Sequence, residues 1–130
     1  IVDNVASIKV FPGLREDVFQ AVATLPSLKG LILETFGSGN VPSDSWFARE
    51  VQKLDKRGVI VLNITQCTTG SVIQGKYETG VHLERAGVLS GGNMTFEAAI
   101  TKLMYLLSCE ELTFEEKKEY MQKNMRGEIS

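Results

Sequence analysis

Few residues in this chain have the type and spacing to do chemistry. Thr65-Gln66-Cys67-Thr68-Thr69-Gly70 gathers hydroxyls and a thiol in one short segment. A hydroxyl or thiol becomes a nucleophile only beside a base that takes its proton. His82 is the only histidine and falls on a short helix candidate. Lys76 is the other candidate base, and no spacing ties it to a threonine. Cys67 also reads as a small buried apolar residue. No complete catalytic set is visible.

The second candidate is Gly30 to Pro42, Gly-Leu-Ile-Leu-Glu-Thr-Phe-Gly-Ser-Gly-Asn-Val-Pro. A short apolar run bounded by turn residues reads as a buried strand, here ending at Thr35. Gly37 and Gly39 then allow positive φ or close approach of a ligand. Open α/β sheets bind ligands beyond the carboxyl ends of their strands. Asn40 therefore either faces a small molecule or only caps a strand-to-helix turn, and the pattern leaves both open. Gly37-Ser38-Gly39 lacks the third glycine of a dinucleotide fingerprint and the lysine of a phosphate loop.

These segments need elements to hold them. The 130 residues fit one domain, 1–130, with an ordinary balance of 43% apolar and 23% charged residues. The net charge of −2, with both signs interspersed, gives no reason to expect nucleic acid or an anionic membrane as partner. Two cysteines, Cys67 and Cys109, without a short-spaced Cys/His set, argue against a metal site and fit a reducing compartment. No run reaches a membrane span and no signal peptide is visible. The chain starts at Ile1 without a methionine, as an excised domain would.

Strand candidates are Ser7–Phe11, Gly30–Thr35, Val59–Ile64 and a very short edge strand at Val88-Leu89. The continuous apolar run Val59–Ile64 predicts burial on both faces. Helices are expected from Asp17 to Leu25, with Val18, Ala21, Val22 and Leu25 inward, and from a Ser43 cap to about Lys56. Arg57-Gly58 ends the latter. Gly80–Arg85 is a short helix closed by Gly87. Thr95 caps a helix to about Ser108, with Ala99, Leu103, Leu106 and Leu107 inward and Lys102 off that face. Thr113 and Glu116 form a capping box for a last helix to about Met125, whose charges read as a solvated face. About 23 and 28 residues separate successive strand starts, the spacing of right-handed crossover units. The expected fold is α/β: a three-layer sandwich with a short, about four-stranded parallel sheet flanked by helices, Rossmann/flavodoxin-like.

The residues also match a known family. Val10-Phe11-Pro12-Gly13, Thr35-Phe36-Gly37-Ser38-Gly39-Asn40-Val41-Pro42, Arg57-Gly58 through Thr65-Gln66-Cys67, Tyr77-Glu78-Thr79-Gly80, Ala86-Gly87-Val88, Asn93-Met94-Thr95 and Asn124-Met125-Arg126-Gly127-Glu128 occur in order. Together they cover nearly the whole chain, which resembles the C-terminal domain of type I, cytoplasmic-type bacterial L-asparaginases.

The resemblance implies one half of an enzyme that hydrolyses L-asparagine to L-aspartate and ammonia without a cofactor. It implies a cytoplasmic location and a homo-oligomer, dimer or tetramer. The catalytic threonines, lysine and aspartate of such enzymes belong to an N-terminal domain, and no Thr-Gly-Gly-Thr or Thr-Asp-Thr segment occurs here. This chain is thus expected to hold no catalytic residue and to be inactive alone. The resemblance assigns substrate binding to Asn40, reaching a neighbouring subunit's site, and to Tyr77 with Glu78. It also points to an effector site at positions 34, 65 and 67. Thr65 and Cys67 match that site, but Glu34 stands where an arginine is expected. A carboxylate cannot pair with an effector's carboxylate as a guanidinium fork does, so the same allostery is not expected. A tRNA-dependent amidotransferase subunit shares much of the pattern. Its loop usually ends in histidine, so Asn40-Val41-Pro42 and Arg126-Gly127-Glu128 favour the free asparaginase. A non-catalytic dimerisation or ligand-binding module is the other alternative.

Overall fold

A computed structural model describes residues 4–35, 42, 45–65, 83–91 and 94–123. Its elements are β1 (Val5–Val10), α1 (Glu16–Ala23), β2 (Gly30–Thr35), α2 (Ser45–Lys56), β3 (Ile60–Thr65), β4 (Leu89–Ser90), α3 (Phe96–Leu107) and α4 (Phe114–Gln122). The four strands lie in the order β1-β2-β3-β4, with every neighbouring pair parallel. The sheet between two helical layers is the α/β sandwich expected from the strand–helix alternation.

Side chains alternate across each strand, and each face meets its own helices. Val10, Leu31, Leu33 and Val61 share a cluster with Phe19 and Ala23 of α1 and Phe47, Val51 and Leu54 of α2. Ile32, Ile60, Leu62 and Ile64 face Ala99, Leu103 and Leu106 of α3 and Met121 of α4. The continuous apolar runs of β2 and β3 arise because both of their faces are covered. β2 occupies the bounds expected of it. β1 begins two residues early, and β3 and β4 are displaced by one.

Two helix ends launch two strands by the same device. After α2, the Gly58 amide donates to the Asp55 carbonyl and the Val59 amide to the Leu54 carbonyl, each at 3.0 Å. Gly87 and Val88 repeat the pair on Glu84 and Leu83, also at 3.0 Å. This is the Schellman arrangement, which needs a left-handed residue. Gly58 and Gly87 supply it at φ 81° and 95°. The expected caps also form: the Thr95 side chain accepts from the Ala98 amide, and Thr113 with Glu116 makes the reciprocal capping box.

Two expectations about helix faces are corrected. In α1 the buried residues are Phe19 and Ala23, while Val18 is 50% exposed and Leu25 beyond the helix 46%. An eight-residue helix admits more than one apolar phase. The larger gain from burying a phenylalanine sets this one: Phe19 packs against Trp46 and Phe47, with ring centroids at 5.9 and 5.1 Å. In α3, Lys102 is 9% exposed and not off the apolar face. Its Nζ donates to the Lys123 carbonyl at 2.9 Å, as a long cationic side chain does when its stem is buried and its head finds a polar partner. The helix α4 ends at Gln122, three residues short of the expected end. Its charged face is not wholly solvated, since Lys118 is paired with Asp55 at 2.8 Å.

The two left-handed glycines give a paired stability test. A Cβ on Gly58 would meet nothing within 4 Å, whereas one on Gly87 would lie 2.7 Å from both carboxylate oxygens of Asp55. Gly58→Ala should therefore cost only the backbone term, about 1–2 kcal/mol. Gly87→Ala should cost at least about 1 kcal/mol more, because Asp55 must leave Lys118 or the backbone must shift. Urea unfolding of both variants measures the difference. Equal losses would show that the Asp55 contact imposes no constraint.

Candidate functional site

The parallel register sets Val10, Thr35 and Thr65 level at the carboxyl edge of the sheet. Beyond Val10 the chain turns at Phe11-Pro12-Gly13-Leu14, closed by the Leu14 amide on the Phe11 carbonyl at 3.0 Å. Proline in second place suits such a turn because its φ is preset. Beyond Ser90, the Gly91 amide donates to the Asn63 carbonyl at 2.8 Å. A Cβ there would lie 2.6 Å from Ile64 Cγ2, so only glycine fits this approach.

Just under this edge the face toward α1 and α2 turns polar. Thr35 and Asn63 are buried, and Asn63 is level with Leu33 on one side and Ser90 on the other. The Thr35 hydroxyl donates to the Ile64 carbonyl at 3.1 Å, so it ties β2 to β3. These groups are neutral hydrogen-bonders. They can orient a polar ligand or hold a loop, and among the described residues no base lies beside them to make a nucleophile of them.

A cavity of about 540 Å3 opens beside the β1–α1 turn, lined by Pro12 to Asp17, Gln20 and Trp46. Phe19, Trp46 and Phe47 form its aromatic support, with the Trp46 and Phe47 rings edge to face at 5.6 Å. The Arg15 guanidinium donates twice to Asp17, both at 3.0 Å. These bonds hold the Asp17 carboxyl below the usual carboxylate range and push Arg15 up. Deeper, Gln20 Nε2 bridges Glu16 at 3.3 Å and the buried Glu50 at 3.2 Å, and Lys53 pairs with Glu50 at 3.2 Å. The charges of this corner are thus matched to one another. Sequence reasoning missed Arg15, Gln20 and Trp46. The one available signal was the single tryptophan, placed just past the glycine loop.

The residues chosen from sequence fare unevenly. Asn40, Tyr77, Glu78 and Cys67 lie outside the described residues, as do His82 and Lys76. Thr65 closes β3 level with Thr35, and its side chain is likewise outside what is described. Glu34 is half-buried on β2, level with Lys9 of β1 and Ile64 of β3. Glu34 and Thr65 thus sit on neighbouring strands, one register step apart. Among the described residues no group of three or more His, Cys, Asp or Glu side chains is placed to hold a metal ion. No helix among them is long and apolar enough to cross a membrane.

Comparison with known proteins is consistent along the whole chain. Residues 4–121 match the family described as the glutaminase/asparaginase C-terminal domain. L-asparaginase 1 of Escherichia coli is 43% identical over 123 residues, which is 95% of this chain but 36% of that protein. The crystal structure of L-asparaginase I from Vibrio cholerae superposes with a TM-score of 0.90 at 42% identity, covering 99% of this chain and 38% of that one. A glutamyl-tRNA(Gln) amidotransferase polypeptide of Methanococcus maripaludis is 37% identical over 128 residues, 98% of this chain and 29% of that protein. The chain therefore spans little more than a third of the length of these two asparaginases.

The Arg15–Asp17 pair gives a titration test. A carboxyl held low in the folded state adds stability above its unfolded pKa, about 3.9 for aspartate. That contribution is lost as pH falls through the folded value. Carbon-detected NMR should find the Asp17 midpoint below the ordinary range in the native protein. Arg15→Gln should return it to that range, and an unchanged midpoint would mean the pair is not formed in solution.

Proposed function

Because the chain belongs to the glutaminase/asparaginase C-terminal domain family, we propose that it is the single-domain, C-terminal half of an amidohydrolase. The full protein would convert L-asparagine and water to L-aspartate and ammonia. The observation that carries this reading is the 43% identity to an L-asparaginase over 95% of this chain. The chemistry of the described carboxyl edge supports it. That edge offers hydroxyls, an amide and matched ion pairs, and no base beside a nucleophile. Such a surface binds and orients, while the attacking group comes from a domain N-terminal to it.

In this reading Asn40 follows the end of β2 and serves the substrate rather than the turn. Its amide oxygen accepts from the substrate's α-ammonium, and its NH₂ donates to a second partner. Tyr77 and Glu78 add a further contact to the same ammonium. The site is completed across a homo-oligomer interface in the cytoplasm. No effector site is proposed: a carboxylate at Glu34 repels the carboxylate that an arginine there would bind, whatever Thr65 and Cys67 contribute. The free hydrolase is preferred to the amidotransferase because the glycine loop ends Asn40-Val41-Pro42.

The α-ammonium is remote from the amide that breaks, so its contact is felt equally in the ground and transition states. Asn40→Ala in the full-length enzyme should therefore raise KM and lower kcat/KM by about 10- to 100-fold, the worth of one hydrogen bond to a charged group, with kcat little changed. A variant with native kcat/KM removes Asn40 from the site. Ammonia release by the purified 130-residue chain on its own would overturn the non-catalytic reading.

A further inference from the structure

Among the described helices α4 is the least anchored. Met121 is its one buried residue, whereas α3 buries Ala99, Lys102, Leu103 and Leu106. Nine residues are too few for a helix to persist alone in water, so α4 depends on what it packs against. It lies beside β4, and Met121 shares an apolar cluster with Leu89 of that strand. β4 is itself two residues long and meets β3 at Leu62–Leu89 and Asn63–Ser90. The preceding Leu83, Ala86 and Val88 are buried in the cluster on the other face. Leu89 instead turns to the face that α3 and α4 cover.

A polar joint ties the same two elements at the amino edge. Lys118 Nζ donates to Asp55 Oδ1 at 2.8 Å, with the two side chains only 15% and 29% exposed. A pair so far out of solvent is poorly screened by salt. Asp55 stands in the last turn of α2, the negative end of that helix dipole, where a carboxylate is unfavourable. Lys118 is its one ion-pair partner among the described residues. Both carboxylate oxygens lie 2.7 Å from where a Gly87 Cβ would be, so Asp55 rests on the left-handed turn that launches β4. Lys118 thus holds Asp55 at the helix end, and Asp55 supports Gly87.

We propose that α4 is a strap over the β4 edge, latched by Lys118 on Asp55, and that its opening releases Leu89 to Gly91 from β3. With the strap closed, Met121 completes the cluster that holds Leu89. With it open, Leu89 loses that cover, Asp55 loses its counter-charge and Gly87 loses its support. Val88 stays anchored on the other face, so the release begins at Leu89. It ends at the carboxyl edge, where the Gly91 amide donates to the Asn63 carbonyl at 2.8 Å. The strap therefore carries a change at the amino edge to the opposite edge of the sheet. Lys102 of α3 also ties down α4, through the Lys123 carbonyl, but that bond involves neither Asp55 nor β4. Elements with few buried contacts are the ones that open without global unfolding.

Hydrogen exchange of the full-length protein tests this, read by mass spectrometry on peptides spanning 86–94 and 113–123. At low urea the two peptides of the native protein should open with one common urea dependence, ahead of β2. Lys118→Met keeps the stem and removes the charge. It should speed exchange at least about tenfold in both peptides, because it leaves a half-buried carboxylate unpaired. Peptides from α1 and β2 should stay within about twofold of native. Asp55→Asn should act alike. The double variant should match the faster single one within about twofold, since either change alone opens the latch. Acceleration confined to 113–123 would show that α4 opens without releasing β4. Equal acceleration of α1 and β2 would show a general loss of stability. A double variant far faster than either single one would show two independent anchors. Any of these results, or unchanged exchange, overturns the strap.

Discussion

Side chains alternate along a strand, so a slip of one residue between β2 and β3 would turn one strand over. Asn63 would then enter the apolar layer between the sheet and α3, and Ile64 would take its place beneath α2. Burying an unsatisfied amide there costs about 1–3 kcal/mol. Every leucine, isoleucine and valine of the strand would also lose its fitted neighbours. Both faces are covered, so no register relieves this. The Thr35 hydroxyl on the Ile64 carbonyl adds a specific latch at the carboxyl end. The rest of the domain inherits its geometry from this pairing: Val10 and Ser90 are placed by β2 and β3 respectively.

The register is passed on by the helix ends. Gly58 and Gly87 reverse the chain within one residue, and Val59 and Val88 then lead into β3 and β4. Because both units end alike, both strands start from the same side of the sheet. Asp55 couples the two units: its carboxylate lies over Gly87 and accepts from Lys118 of α4 at 2.8 Å. One acidic side chain at the end of α2 thus touches the second turn and the opposite helical layer.

Much of this was legible in the residues because it rests on local rules. The bounds of β2, the two glycine stops, the Thr95 cap and the Thr113–Glu116 box each depend on a few adjacent positions. The phase of α1 was not legible. It depends on Phe19 meeting Trp46 and Phe47, which belong to another element. Lys102 was misplaced for a related reason: a charge was read as exposure, although a long stem can be buried while its ammonium finds a carbonyl just past α4. The cavity by Arg15, Gln20 and Trp46 is built from two separate stretches, and neither carries a motif. Of the candidate site, composition showed the polar, base-poor character. The roles proposed for Asn40, Tyr77 and Glu78 rest on family likeness.

The strand order bears on what the carboxyl edge can do. Doubly wound sheets bind ligands where the strand order reverses and adjacent crossovers diverge to opposite faces. Here the order runs β1-β2-β3-β4 without reversal. The helices α1 and α2 share one face, so the described residues form no switch-point crevice, and the cavity at this edge lies instead between the β1–α1 turn, α1 and Trp46 of α2. A ligand at this edge has a floor of hydroxyls, amides and loop ends, and its opposite wall must come from another surface. Among the described residues the charges beside the cavity are paired with one another. These features suit a surface that positions a substrate against groups carried elsewhere.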